Sequence, residues 1–332
     1  MAVWALASLV FLLSRWAPAS DNSLGLADAA DLSTGTTAAP ATRRLARQAA
    51  RQRLGLDAPL FYFSRDAATG LQPVRWHWNG GRNQYHQWLG ALLHGNLGTS
   101  FRDGRSVAGR LGAALVCTVP LTGTAAALAL ALALKLALGL ARRPWWRRPV
   151  LALLTGLQAL PLFVLATGLL LLLANPDALD WFPTYDQIDT GGGAVPLGAY
   201  LVLPLVCLVL SALPELTLQL EAALAQELRA DYVVTARAKG VSMKQLVRHH
   251  TLRNALLPVL PLLADLLPAL VAGAVIVEVV FSLPGMGRLL AEAAAARDYP
   301  VLVGGVLVVG AARLLALLLA DAGARWLDPR VS

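Results

Sequence analysis

Three lysines, five histidines and two cysteines are all that this 332-residue sequence offers for a phosphate-loop lysine, for imidazole or thiolate metal ligation and for thiol chemistry. A phosphate-binding loop needs Gly-Lys followed by Ser or Thr, whereas Lys135, Lys239 and Lys244 are followed by Leu, Gly and Gln. The histidines at 77, 86, 94, 249 and 250 give no ligand spacing on a predicted helix, and His-Glu-x-x-His, Gly-x-Ser-x-Gly and Gly-x-Gly-x-x-Gly are all missing. Cys117 and Cys207 fall in apolar stretches and read as packing residues. The chain is therefore expected not to be an enzyme and to bind no cofactor or metal. What remains is electrostatic chemistry. Asp265, Glu278, Arg313 and Lys135 interrupt apolar runs, where an ionised group costs about 2.5–3.5 kcal/mol at the bilayer centre and needs a partner or a wet cavity. Their depths predict an Asp265–Arg313 ion pair, with Lys135 as the alternative partner, or separate contacts with water in a translocation cavity. Lys135 alone reads as snorkelling to the headgroups. Glu278, near the outer end of its run, reads either as lining an outer gate or as solvated at the interface.

The elements that must carry these residues are membrane helices. The chain is 57% hydrophobic and 14% charged with a mean hydropathy of +0.58, against about 25% charge in soluble domains. Apolar runs long enough to cross a bilayer are expected at 1–17, 113–141, 150–174, 195–217, 255–281 and 301–320, six helices in all. The first could instead be a signal sequence, because it ends in Ala17-Pro18-Ala19, but it lacks a basic start and Arg15 interrupts it. A retained helix is the preferred reading. The net charge of +8 is nearly all Arg. It concentrates in connectors: RRPWWRRP at 142–149 has four Arg, and 221–254 has six Lys/Arg against three acids. The alternate connector 175–194 has four Asp and no base. Cytoplasmic connectors are the basic ones, so both termini are expected inside. Residues 18–110 then form one large external loop, followed by a five-helix core at 111–332. The basic charge marks topology, and nucleic acid is not an expected partner.

One connector segment stands apart. DYVVTARAKG, residues 231–240, is rich in helix formers, carries Arg237 and Lys239 near its end where the helix dipole favours cations, and stops on Gly240. Glycine suits the position after a helix, where a positive φ is cheap only for a residue without Cβ. ELRADYVVTARAKG is thus expected to be a helix, with Ser242-Met-Lys-Gln245 opening the next as a capping box. Ala236 and Ala238 offer a small-residue surface for another protein. An ordinary solvated basic loop is the competing interpretation.

TARAKG with Pro258 and RNALLPV at 253–259 resembles the cytoplasmic loop of permease subunits of peptide-type ABC importers, the dipeptide/oligopeptide/nickel branch. GAVIVEVVFSLPGMGRLL (273–290), RDYPVLVGGVL (297–307), DAGARWLDPR (321–330), RLGLDAPL (53–60) and HGNLGTS (94–100) are similar to further segments of that branch, in the same order. The sequence departs from it at Ala17–Ser20, at Asn96, and at Glu221, where the branch often has a basic residue. The resemblance implies an all-α integral membrane fold of the type I importer permease kind. It implies that Asp231, Tyr232, Ala236, Arg237, Ala238, Lys239 and Gly240 form an ATPase-coupling loop. It also implies the partners: a second homologous permease, two ATPase subunits that use ATP and Mg, an external solute-binding protein, and the bilayer of the bacterial cytoplasmic membrane. The expected work is alternating access for peptides or a similar small solute. An ion-coupled secondary transporter, running on Asp265 and Glu278, is the alternative; such folds often carry inverted repeats, and none is visible.

Overall fold

The computed structural model describes residues 4–5, 8–9, 11–12, 58–65, 76–175, 177–179, 181–183, 197–247 and 251–327. These fall into two compact units, one of Met1–Ala114 with Leu289–Gly310, the other of Leu115–Arg288 with Ala311–Ser332.

In the first unit the described part of residues 18–110 is ordered by its aromatics. Strands β1 (Phe63–Arg65) and β2 (Trp76–Trp78) pair antiparallel, with Phe63 opposite Trp78 and Arg65 opposite Trp76. Helix α1 (Gln84–Leu93) follows, and the Asn83 side chain caps it by accepting from the His86 amide at 2.7 Å, which satisfies one of the orphan donors of the first turn. Phe11 stacks on Trp88 with centroids 4.9 Å apart, and Ser8 meets the Tyr85 hydroxyl at 2.8 Å. Aromatic contacts thus tie the loop to the start of the chain. The rest of the expected first span lies outside the described residues. The small sheet is an addition to the all-α expectation, confined to the loop.

The second unit is built on long apolar helices. Helix α2 (Val107–Arg142) enters from the first unit; α3 (Pro144–Gln158), α4 (Leu162–Leu173) and α5 (Leu197–Glu227) follow. Then come the short α6 (Asp231–Ala238), α7 (Met243–Leu246) and α8 (Leu252–Leu256), and the spans α9 (Leu260–Val280) and, beyond α10 (Met286–Ala295), α11 (Tyr299–Leu327); residues 289–310 of these last two helices and the turn between them belong to the first unit. Among the described residues, four helices are long and apolar enough to cross a membrane, or five spans if α3 and α4 count as one. The core joins Leu208, Leu216, Leu220 and Leu224 of α5 to Val277 of α9 and to Ala125, Ala129, Ala133 and Ala137 of α2. Alanine at every fourth position lets the α2 backbone approach its neighbours closely.

Three expected spans are redrawn. The run at 150–174 is not one straight helix: α3 and α4 meet at 98°, because Pro161 cannot continue the ladder of α3 and instead opens α4. The span expected at 255–281 begins as a turn of 3-10 helix at Leu257–Val259, with Pro258 inside it and Pro261 in the first turn of α9. The span expected at 195–217 runs on to Glu227, since the Ala, Leu, Gln and Glu beyond its apolar window are all good helix formers.

Candidate functional site

The stretch 227–240, expected to be one helix, is broken. α5 ends at Glu227, a turn occupies 228–230, and α6 starts at Asp231. Asp231 lies in its first turn and Arg237 in its last, both signs matched to the helix dipole. Its end is a Schellman cap: Gly240 donates to the Arg237 carbonyl at 3.0 Å, Val241 to that of Ala236 at 3.2 Å, and Gly240 has φ +78°. Ser242 then accepts from the Gln245 amide at 3.4 Å and meets the Gln245 side chain at 3.1 Å, opening α7.

One face of α6 holds it down. Val233 is buried, and the Tyr232 hydroxyl donates to Glu227 Oε2 at 2.7 Å. The same carboxylate oxygen accepts from Asn254 at 3.3 Å. Glu227 therefore joins α6 both to the end of α5 and to α8, which leads into α9. Burial and this bond push the Tyr232 hydroxyl above the ordinary phenol value. The opposite face is open: Asp231, Thr235, Arg237, Ala238, Lys239 and Gly240 are exposed, Ala236 is half-buried, and Val234 is 68% exposed. Sequence reasoning passed over Val234; its position four residues before Ala238, on the same helical face, was the available signal.

Glu221, the odd acid of the connector, has a partner. Arg147 Nε meets Glu221 Oε1 at 2.6 Å and Arg147 Nη2 meets Oε2 at 3.1 Å, a two-pronged bridge between α3 and α5. The sign change at 221 is thus compensated from the Arg-rich connector.

The intramembrane charges are arranged differently from the expected pair. Asp265 and Arg313 are both exposed in the chain, and no ion pair among the described residues joins Asp265 to Arg313 or to Lys135. Asp265 instead faces Glu215 and Ser211 across a cavity of about 300 Å³ between α4, α5 and α9, walled by Leu162, Leu266 and Gly273. Glu278 is not solvated in the chain: it is fully buried. Thr118 donates to its Oε1 at 2.6 Å, and the amides of Gly287 and Arg288 donate to Oε2 at 2.6 and 3.2 Å. The Met286 amide in turn donates to Thr118 Oγ1 at 2.8 Å. The carboxylate caps α10 from a different helix. A Cβ on Gly285 would fall inside that carboxyl group, so only glycine leaves the carboxyl in place on its donors.

A further buried acid went unnoticed in the sequence. Asp298, in the first unit, accepts from the Ser100 hydroxyl at 2.5 Å and the Phe101 amide at 3.0 Å, and lies 3.3 Å from Arg110. Asp103 joins Arg110 at 3.5 Å. Burial acts upward on Asp103, but the Arg105 amide, the Ser100 hydroxyl and the charges of Arg110 and Arg105 hold its carboxyl below the ordinary value. The signal was an acid beside the Tyr299-Pro300 start of α11, near-buried by the turn that precedes it. His250 lies outside the described residues.

Residues 124–332 match the family described as binding-protein-dependent transport system inner membrane component. The chain belongs to that family. As an inner membrane component it is a multi-pass membrane protein, and the ion-coupled alternative is not favoured. A Brucella ovis protein carrying a peptide permease name is 35% identical over 290 residues, 85% of this chain and 83% of that one. The oligopeptide transport system permease protein AppB of Bacillus subtilis is 32% identical over 251 residues, 75% of this chain and 79% of that one. The di/tripeptide transport system permease protein DppB of Pseudomonas aeruginosa is 30% identical over 304 residues, 85% and 84% of the two chains. A solved inward-facing structure of the MetNI methionine ABC transporter superposes with a TM-score of 0.50 at 19% identity, over 66% of this chain and 96% of that chain. That likeness concerns the fold.

Proposed function

We propose that this family member is one permease half of an ATP-driven importer that moves peptides, or a similar small solute, across the cytoplasmic membrane by alternating access. It pairs with a second, homologous permease. Two ATPase subunits, which bind ATP and Mg, dock from the cytoplasm, and a solute-binding protein delivers cargo from outside. Both termini are cytoplasmic. The relatives named for oligopeptides and di/tripeptides support the cargo class.

The observation that carries the reading is the two-faced α6. Its outward face offers Val234 and Ala238, small and apolar amid charge, to a neighbouring protein. Its inward face is fastened through Tyr232, Glu227 and Asn254 to the ends of two membrane-crossing segments. A push on α6 is delivered to α5 and α9 together, and Gly240 fixes the angle at which the lever turns. Asp265, Glu215 and Arg313, exposed in the chain alone, then face the space shared with the second permease.

The test is disulfide trapping. Cysteine at Val234 or Ala238, in the complex purified with its ATPase subunits, is expected to cross-link to a cysteine walked along the ATPase surface and to arrest uptake reversibly. Cross-linking confined to lipid-phase reagents, with no ATPase adduct at any position, would remove the coupling assignment.

A further inference from the structure

At the cytoplasmic end of α2, Lys135, Leu136, Gly139, Leu140, Arg143 and Trp146 line an open groove of about 420 Å³. Lys135 and Arg143 are exposed, and no carboxylate lines the groove. Among the described residues neither cation is in an ion pair, and the nearby Glu221 is taken by Arg147. The groove thus holds two cations and an indole N–H with no anion of its own.

The groove continues up the helix. Leu128 and Leu132 are 45% and 40% exposed, and with Lys135 and Gly139 they follow one another at spacings of four, three and four, a single helical stripe, with Arg143 just past the end of the helix. The stripe is apolar for two turns and then cationic. Lys135 lies seven residues before Arg142, on the order of 10 Å along the axis, a distance its long side chain can shorten by snorkelling toward the headgroups. Trp146 is 45% exposed beside Trp145 at 71%, the amphipathic ring type that settles at headgroup level. The connector is one of the basic, cytoplasm-facing ones.

We infer that this groove is a binding site for an anionic phospholipid of the cytoplasmic leaflet. The phosphodiester sits between the Lys135 ammonium and the Arg143 guanidinium with the Trp146 N–H as a further donor, and an acyl chain lies along Leu132 and Leu128. Charge complementarity selects the headgroup: basic pockets at cytoplasmic helix ends suit anionic lipids, and a zwitterionic headgroup would bring its own cation against both side chains. Gly139, without a side chain, leaves the floor of the groove open between the two cations.

The test uses the assembled transporter in phosphatidylcholine bilayers containing spin-labelled phosphatidylglycerol or spin-labelled phosphatidylcholine. The wild type is expected to immobilise phosphatidylglycerol preferentially. Lys135→Gln and Arg143→Gln should each reduce that preference by about fivefold, as expected for one cation near a charged surface, while Lys135→Arg retains it. Arg148→Gln removes the same charge from an exposed residue that does not line the groove, and should leave the preference intact. The inference is overturned if the wild type shows no preference, if Arg148→Gln loses as much as the groove variants, or if inorganic phosphate displaces the lipid and marks the site as one for the free ion.

Discussion

Removing the Glu278 carboxylate should cost more stability than any other single truncation in α9. The side chain is fully buried and is the acceptor for Thr118 and for the amides of Gly287 and Arg288. In Glu278→Ala the two backbone amides lose their partner inside a closed site. A buried donor left unsatisfied costs about 1–3 kcal/mol, and bonds to a charged acceptor lie at the upper end of that range. With the space left by the side chain, the sum is roughly 3–6 kcal/mol. At about 2 °C per kcal/mol for a long chain, the melting temperature of the purified complex should fall by roughly 6–12 °C. Glu278→Gln keeps one acceptor oxygen for the amides and turns its NH2 toward the Thr118 hydroxyl, so it should lose about 1–2 kcal/mol. Gly285→Ala should behave like Glu278→Ala, because the new methyl group displaces the carboxyl from all three donors. Thr118→Val combined with Glu278→Ala should lose less than the two separately, by at least about 0.5 kcal/mol, as residues of one network do. A thermal-shift series in detergent measures all five. A Glu278→Ala protein melting within a degree of its parent, or strict additivity with Thr118→Val, would refute the assignment of this acid as a cap.

Two further expectations concern the connectors at 142–149 and 221–254. Gly240→Val places a β-branched residue at φ +78°, a strain of about 1–3 kcal/mol that should loosen the end of α6; uptake per ATP hydrolysed should fall while membrane insertion stays normal, and an unchanged ratio counts against coupling through this turn. Arg147→Ala strands the near-buried Glu221, whereas Glu221→Ala leaves a half-exposed Arg147, so the first should destabilise by about 1–3 kcal/mol and the second by less; a charge exchange that melts below both single variants would sink this account of the bridge.

Much of the fold was readable because bilayer physics leaves few choices: apolar length marked α2, α5, α9 and α11. Breaks were harder. Pro161 and Pro258 interrupt helices, yet Pro120, Pro204 and Pro214 sit inside continuous ones, and nothing local separates the two groups, since packing decides whether a lost backbone bond is tolerated. The turn at Gly240 was legible because a positive φ points to one residue type. The α5–α6 break was not, because Leu228, Arg229 and Ala230 are good helix formers in an unhelical turn. For the acids, sequence gave depth and not direction: Asp265 and Glu278 are both on α9, but one opens into a cavity and the other is enclosed by a turn folded back from beyond the helix.

The alanines of α2 have a mechanical corollary. Ala125, Ala129, Ala133 and Ala137 are identical teeth at a four-residue pitch, about 6 Å along the axis. A rack of equal teeth fits its groove almost as well when slid by one notch, so those contacts set how close the helix lies and say little about how far along it stands. Axial position must come from a pin that does not repeat, and in this unit Thr118, hooked to Glu278 and to the Met286 amide, is that pin.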